Sequence, residues 1–472
     1  MTDRHRLPGQ PPLGPSDRPQ GPSYTSGVPS GSPGPGRRRS QLQRQAARRK
    51  VRRRRILAGV LVVALVVVGA GIGFYLHLDK NLHTVKLTSG GGKEKKDNQG
   101  RTPINLLIIG SDTRSSSEDC KIGGDCSTST ETASSSAPAT SSAANADVEM
   151  LVHISADRSN ATVMSIPRDT YIKVPACTDP STGATETPHM DRINSTLQYG
   201  PNCTVAAVHQ LTGVPIDHFM VIDFAGVVKM SDAVGGVNVC VDNNVYDPYS
   251  HLKLTKGDHT LKGLAALEFL RTRHGFGDGS DIGRTVAQHI FLSSMLRNME
   301  SASTLTNPVK VVELADAATS AITVDTGLGS VADLTSLAYQ MNQVPGDRTT
   351  FVTMPNVPYA PNPNVVVPAG NAQALFTKIA DDVSLSQPKA TASASASASP
   401  SASASASTSP STPATTTPSS AAQPSATDYA MTVDGAQGCA QVSHAYTVEV
   451  NGVIMNPIEA FSASPNVPLS AP

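Results

Sequence analysis

Hydrophobic positions fall into three patterns along this chain, and each predicts a different kind of element. The run "ILAGVLVVALVVVGAGIGFYLHL", Ile56 to Leu78, contains no Asp, Glu, Lys or Arg. That length of apolar sequence spans a bilayer as a helix with some tilt. It is too long, and too far from the start of the chain, for a secretory signal core, so it reads as an uncleaved transmembrane helix. "INLLIIGSDTR" opens on a short continuous apolar run, the mark of a buried strand, and "MLVHIS" and "ATVMSIP" follow as a hairpin around the turn-rich "ADRSN". Beyond them, helical spacing alternates with strand spacing. "CTVAAVHQLTG" predicts a helix stopped by Gly213, "FMVIDF" a strand, "AGVVKMSDAV" a helix stopped by Gly235 and Gly236, and "VNVCV" a strand. "LADAATSAITVD", "VADLTSLAYQM" and "RTTFVTMP" continue the alternation. The fold class expected is α/β, a central mixed sheet flanked by helices and preceded by one transmembrane helix. Sheets of this kind bind ligands at the carboxyl ends of their strands.

Composition divides the rest. Pro, Gly, Ser, Ala and Thr dominate 1–36 and about 387–427, which cannot bury a core. The partition read from sequence is a disordered basic cytoplasmic segment at 1–55, the transmembrane helix at 56–78 and a polar stalk at 79–102. An extracellular α/β domain is expected at 103–383, with a Ser/Thr-rich insertion at 115–145. A linker at 384–427 leads to a C-terminal segment, 428–472, too short and too poor in aromatics to promise its own core.

Charge then orients the chain. Lys and Arg number 38 and so do Asp and Glu, yet the formal neutrality hides "RRRSQLQRQAARRKVRRRR", Arg37 to Arg55, directly before the apolar helix. Such a run stays cytoplasmic and contacts anionic lipid, leaving everything after Leu78 outside the cell membrane. Next to a membrane it carries no expectation of nucleic-acid binding. The exported part is acidic once that run is removed, which makes its remaining arginines informative. Six cysteines suit an oxidising exterior. Cys120 and Cys126 could close a small loop, and spacing leaves the pairing of Cys177, Cys203, Cys240 and Cys439 open.

Candidate chemistry concentrates in "RTRHGFGDGSDIGRTVAQH", Arg271 to His289, where three arginines flank a glycine-rich loop. A lone surface arginine mainly confers solubility, and Asp281 alone reads equally as a helix N-cap. Forked guanidinium donors beside flexible backbone and a helix start are, together, what a phosphate or pyrophosphate requires. Charged strand ends add Asp112, Asp147, Arg168 and Asp169. Singly, Asp112 and Asp169 read as turn caps paired with Arg114 and Arg168. Together, carboxylates from separate strands can hold Mg²⁺ against phosphate oxygens. No G-x-x-x-x-G-K-[ST], G-x-S-x-G or H-E-x-x-H motif occurs.

The segments "NLLIIGSDTR", "SIPRDTYI", "RINSTLQYG", "GVPIDHFMVIDFAGV" and "GLAALEFLRTRHGFGDGSDIGR" occur in this order. Over roughly Ile104 to Asp382 they resemble the LytR-CpsA-Psr family of cell-wall proteins. The resemblance implies a phosphotransferase that moves a glycopolymer from a polyprenyl-pyrophosphate carrier onto peptidoglycan with Mg²⁺ assistance. It implies Asp112 and Asp147 as metal ligands and Arg168, Arg271, Arg273 and Asp281 as catalytic residues. Arg114, Arg168, Arg271, Arg273, Arg284 and Gln288 are implied to bind pyrophosphate. The chain departs from the family pattern at Asn145, where arginine is common, and at Ala287 and His289, which flank Gln288 where Arg-Gln-Gln is common. A non-catalytic polyprenyl-phosphate or wall-binding protein is the alternative reading, and a membrane-tethered transcriptional attenuator a weaker one.

Overall fold

A computed structural model describes residues 35–112, 145–179, 183, 185–300, 308–385, 431–432 and 438–471. The insertion expected at 115–145 lies outside the described residues up to 144, and most of the linker does too. Two compact units divide the chain, Met1–Gly71 and Ile72–Pro472. The helix Pro35–Asn81, which runs from the first unit into the start of the second, begins well before the apolar run, so the basic stretch expected to be disordered is helical from Pro35 onward. Arg, Ala and Gln are good helix formers and need no tertiary support to extend a helix already nucleated. Its Arg52–Asn81 portion is long and apolar enough to cross a membrane, and its Val and Leu side chains from Leu57 to Leu76 are exposed, whereas Leu78 is buried.

The second unit is built on an eight-stranded mixed sheet. Numbered along the chain, its strands are β1 (His83–Val85), β2 (Ile104–Ser111), β3 (Ala146–Ile154), β4 (Ala161–Ile166), β5 (His218–Ile222), β6 (Ile322–Asp325), β7 (Thr349–Thr353) and β8 (Met431–Thr432). Their spatial order is β1-β6-β5-β2-β3-β4-β7-β8. β2 is antiparallel to β3, β3 to β4, and β2 parallel to β5, which brings the carboxyl ends of β2, β4 and β5 and the start of β3 to one edge.

Successive strand residues point to opposite faces, so a continuous apolar run requires cover on both sides. On one face Leu107 and Ile109 pack with Val205 and Val208 of the helix Pro201–Thr212. On the other, Leu106, Met150 and Val152 meet Ala321 and Leu337. Gly213 ends the Pro201–Thr212 helix in the left-handed region, φ 73°, as its sequence predicts.

Three segments differ from the sequence reading. The stretch 79–102 is not a free stalk: β1 pairs in parallel with β6, and Thr88 N and Ser89 Oγ each donate at 2.7 Å to Asn202. "VNVCV" joins Gly257–Leu261 in a separate antiparallel ribbon outside the main sheet. The C-terminal segment, expected to lack a core, borrows one. Ala440, Val442 and Ala471 are buried in a cluster with Phe269, Phe276 and Phe291, and Cys439 is disulfide-bonded to Cys240. The other described pair is Cys177–Cys203.

Candidate active site: a cavity of arginines and aspartates

At the shared edge of β2, β3, β4 and β5 lies a cavity of about 320 Å³. Asp112, Asp147, Arg168, Arg271, Arg273 and Arg284 all line it, although up to 172 residues separate Asp112 from Arg284 (284 − 112). Phe224, Asp247, Tyr249, Ser250 and His274 complete the wall.

Asp112 is fixed by its own backbone. Its N–H donates to Asn145 O at 3.0 Å, and Asn145 N–H returns a 2.6 Å bond to Asp112 Oδ1. Beside this pair β2 and β3 slip register between Gly110 and Ser111, a bulge that re-aims the strand end. Burial, then the negative charge of Asp147, raise the Asp112 carboxyl above its ordinary pKa; the Asn145 bond and Arg168 oppose the rise. The two carboxylates thus repel each other across the cavity.

Cations answer that repulsion. Arg168 Nη1 donates to Asp147 Oδ1, and its Nε lies 3.7 Å from Asp169. Arg192 Nη1 also reaches Asp169, at 3.2 Å. Arg284 is 3% exposed and donates Nη2 to the carbonyl of Asp147 at 3.1 Å, tying the helix Asp281–Glu300 to the start of β3. Arg271 ends the helix Gly263–Arg271, and its guanidinium lies over the Phe224 ring at 4.7 Å, a cation–π contact that holds the fork in plane. Phe224 is set there by the turn into the helix Phe224–Ala233, where the Asp223 N-cap carboxylate accepts from Gly226 N at 2.7 Å.

After Arg271 the chain leaves the helix and bends into a loop that depends on glycine. Gly277 has φ 60°, and a Cβ on Gly283 would sit 2.1 Å from the Phe276 carbonyl oxygen, so loop and helix touch backbone to backbone. Asp247 organises the loop's first turn. Fully buried, it accepts from Thr272 Oγ1 and from Tyr249 N at 3.0 Å, with His274 Nδ1 3.8 Å away. Burial raises this carboxyl, but His274, the Thr272 hydroxyl and the Tyr249 amide together bring it below the usual carboxylate range.

Three expected residues stand differently. Gln288 is buried and does not line the cavity; its Nε2 donates to Leu270 O at 3.1 Å, bracing the helix that carries Arg271. Asp281 opens its helix instead of preceding it, and its side chain lies outside the described residues. So does all of Arg114. The departures at Ala287 and His289 turn inward: Ala287 is wholly buried, and His289 bonds Ser165 Oγ at 2.7 Å, its pKa pushed down to about 3 by burial. Neither faces the cavity. Asn145 reaches the cavity only through its bonds to Asp112, and its Oδ1 accepts from Gln198 Nε2 at 2.9 Å.

Among the described residues no group of three or more His, Cys, Asp or Glu is arranged for a metal. The Asp112–Asp147 pair nevertheless fits Mg²⁺, which commonly takes one or two carboxylates and completes its shell with water and phosphate. Sequence reasoning missed Asp247, Tyr249 and His274. His274 stood within the quoted arginine stretch, but Asp247 in "YDPYSH" carried no signal beyond that of a turn.

Four arginines facing paired aspartates, at the strand ends of a helix-covered sheet, define an α/β protein with a charged cavity at its sheet edge. The LytR_cpsA_psr family model matches residues 73–381, more than half of the chain, and the chain belongs to that family. It is 32% identical to the cell wall biosynthesis protein LcpA of Corynebacterium glutamicum, over 64% of this chain and 59% of that relative. It is 26% identical to the polyisoprenyl-teichoic acid–peptidoglycan teichoic acid transferase TagT of Bacillus subtilis, over 56% of this chain and 77% of TagT. Among solved structures, a LytR-Csp2A-Psr enzyme from Actinomyces oris superposes with a TM-score of 0.47 at 24% identity, covering 63% of this chain and 96% of that one.

Proposed function

We propose that this protein is a membrane-anchored phosphotransferase that moves a glycopolymer from a polyprenyl-pyrophosphate carrier to a hydroxyl of peptidoglycan. One observation carries the reading: six charged residues named from separate sequence segments line a single cavity. Its cationic wall suits the four negative or partly negative oxygens of a pyrophosphate, and family membership and the names of relatives agree in kind.

Phosphoryl transfer asks a protein mainly for alignment and for stabilisation of negative charge. Arg271, Arg273 and Arg284 are proposed to grip the diphosphate, with Arg168 bridging it to Asp147. Arg114, two positions past Asp112, is proposed as a further donor. Asp112 and Asp147 would hold Mg²⁺, which supplies neutralisation of the phosphate oxygens when bound. Phe224 keeps Arg271 in plane, and Gln288 keeps its helix in place. Asp281 is proposed as a catalytic carboxylate at the head of its helix.

The proposed location is a single-pass membrane protein with a cytoplasmic N-terminus. The arginine run before the helix and the two disulfides of the large unit support an exported domain. Nucleic acid has no part in this reading. The test is to incubate the protein with a lipid-pyrophosphate glycan, Mg²⁺ and peptidoglycan fragments. A covalent glycan–peptidoglycan product is expected. Saturable binding of the lipid with no product would replace the transferase by a non-catalytic carrier-binding protein.

A further inference from the structure

Transfer to a hydroxyl releases a proton, and the arginines cannot accept it, since a guanidinium stays protonated at any ordinary pH. The carboxylates Asp112 and Asp147 are engaged with Asn145 and Arg168. Among the described residues, one imidazole lines the same cavity and can take up a proton: His274.

Its surroundings form a positioned pair. Asp247, fully buried, is immobilised by the Thr272 hydroxyl on Oδ2 and the Tyr249 amide on Oδ1, so Oδ1, which can accept a second bond, is presented at a fixed place. His274 Nδ1 lies 3.8 Å from that oxygen. Nδ1 is buried and has no hydrogen-bond partner among the described residues. The Tyr249 ring packs against the imidazole, centroids 4.8 Å apart, and limits its rotation. A buried donor nitrogen facing a buried carboxylate slightly beyond bonding distance is a contact ready to close, and catalytic hydrogen bonds commonly tighten only when substrate is bound. A carboxylate on one ring nitrogen fixes the tautomer and leaves the other nitrogen basic.

We infer that His274 is the general base of the reaction and that Asp247 is its positioning residue. This rests on the phosphotransferase reading above. In the step, the acceptor hydroxyl oxygen forms a bond to the phosphorus that carries the glycopolymer. The bond from that phosphorus to the bridging oxygen breaks, and polyprenyl phosphate leaves. The hydroxyl proton passes to His274 Nε2 while Nδ1–H donates to Asp247, and the imidazolium then gives its proton to water. The family resemblance gives a catalytic part to Asp281; the described geometry gives proton acceptance to His274.

The experiment uses the detergent-solubilised full chain with a short-chain polyprenyl-pyrophosphate glycan and peptidoglycan fragments. General-base loss costs about a hundredfold or more. For His274→Gln, kcat should fall by that order while KM for the lipid donor stays within about threefold, because the arginine grip is intact. His274→Gly should recover part of its rate in added imidazole. Asp247→Asn should lower kcat in the parent protein yet change nothing in a His274→Gln background, since a residue acting only through another has no effect once that other is gone. Asp281→Asn is measured alongside. Wild-type-like kcat in His274→Gln, or an additive effect of the Asp247 change, overturns the pair. So does selective loss in Asp281→Asn alone. No product from the wild-type protein defeats the phosphotransferase reading itself, and is thus distinguishable from failure of the pair.

Discussion

Arg271 shows how much of this site depends on shape as well as charge. Its guanidinium stacks on Phe224 at 4.7 Å, and an ammonium cannot reproduce either the planar stack or a two-pronged contact with phosphate. Arg271→Lys should therefore lower kcat/KM by roughly tenfold or more with little change in melting temperature, an effect steady-state kinetics and calorimetry can separate. Asp112 supplies the opposite lesson. Burial and the neighbouring Asp147 raise its pKa, so its ionised form is disfavoured in the fold. A raised carboxyl contributes stability below its unfolded pKa and loses it as pH rises through the folded value. At neutral pH Asp112→Asn should thus melt higher than wild type in chelator-containing buffer, while transfer is abolished. A variant both inactive and less stable would deny the charge repulsion. Glu94 works the same way at another place in the fold. Burial, with Asp217 adding a shared hydrogen bond and charge repulsion, raises it to about 7. Its proton supports the fold fully below its unfolded pKa of 4.5, and that support is lost progressively as pH rises to about 7. Glu94→Gln should accordingly flatten the loss of stability that denaturant titrations of the wild type are expected to show as pH rises from 4.5 to about 7.

At the scale of elements, the arginine loop is held from both sides. On one side it touches the helix Asp281–Glu300 through Gly277 and Gly283. On the other, the C-terminal segment runs beside it: Gly277 N donates to Gln441 O at 2.8 Å, Ser443 N to Gly275 O at 2.9 Å, and Phe276 bridges to Val442. Lys253 fastens the same segment farther on, donating Nζ to Ser464 O at 2.5 Å and Val467 O at 2.7 Å. This segment lies beyond residues 73–381, where the family model matches. A chain ending at Leu385 should keep β1 to β7 of its central sheet but lose amide-exchange protection at Gly277, with transfer reduced because Arg273 and His274 precede that loop directly. Unchanged exchange at Gly277 would mean the segment only decorates the surface. The helical periodicity, the strand runs and the glycine stops were legible in sequence, because each is a local property. The pairing of β1 with β6, the diversion of "VNVCV" into its own ribbon and the docking of the tail were not, because each depends on a partner distant along the chain.

For the molecule as a whole, the proposed topology makes a prediction that no single residue carries. Protease added to intact, wall-stripped cells should degrade the domain that follows the apolar helix and spare the basic segment before it. Protection of the domain would reverse the orientation. Sequence alone determined that a span of membrane length exists, that an α/β sheet follows, and that arginines and aspartates cluster at strand and helix ends. It determined these because apolar length, period and charge are written residue by residue. Only the tertiary structure decided that Asp112, Asp147, Arg168, Arg271, Arg273 and Arg284 share one cavity while Gln288 stands behind it, and that Asp247 and His274 meet there. Which strands are neighbours, and which way they run, sets the edge on which these side chains gather, and that choice is made by packing on both faces of the sheet, not by any one stretch of chain.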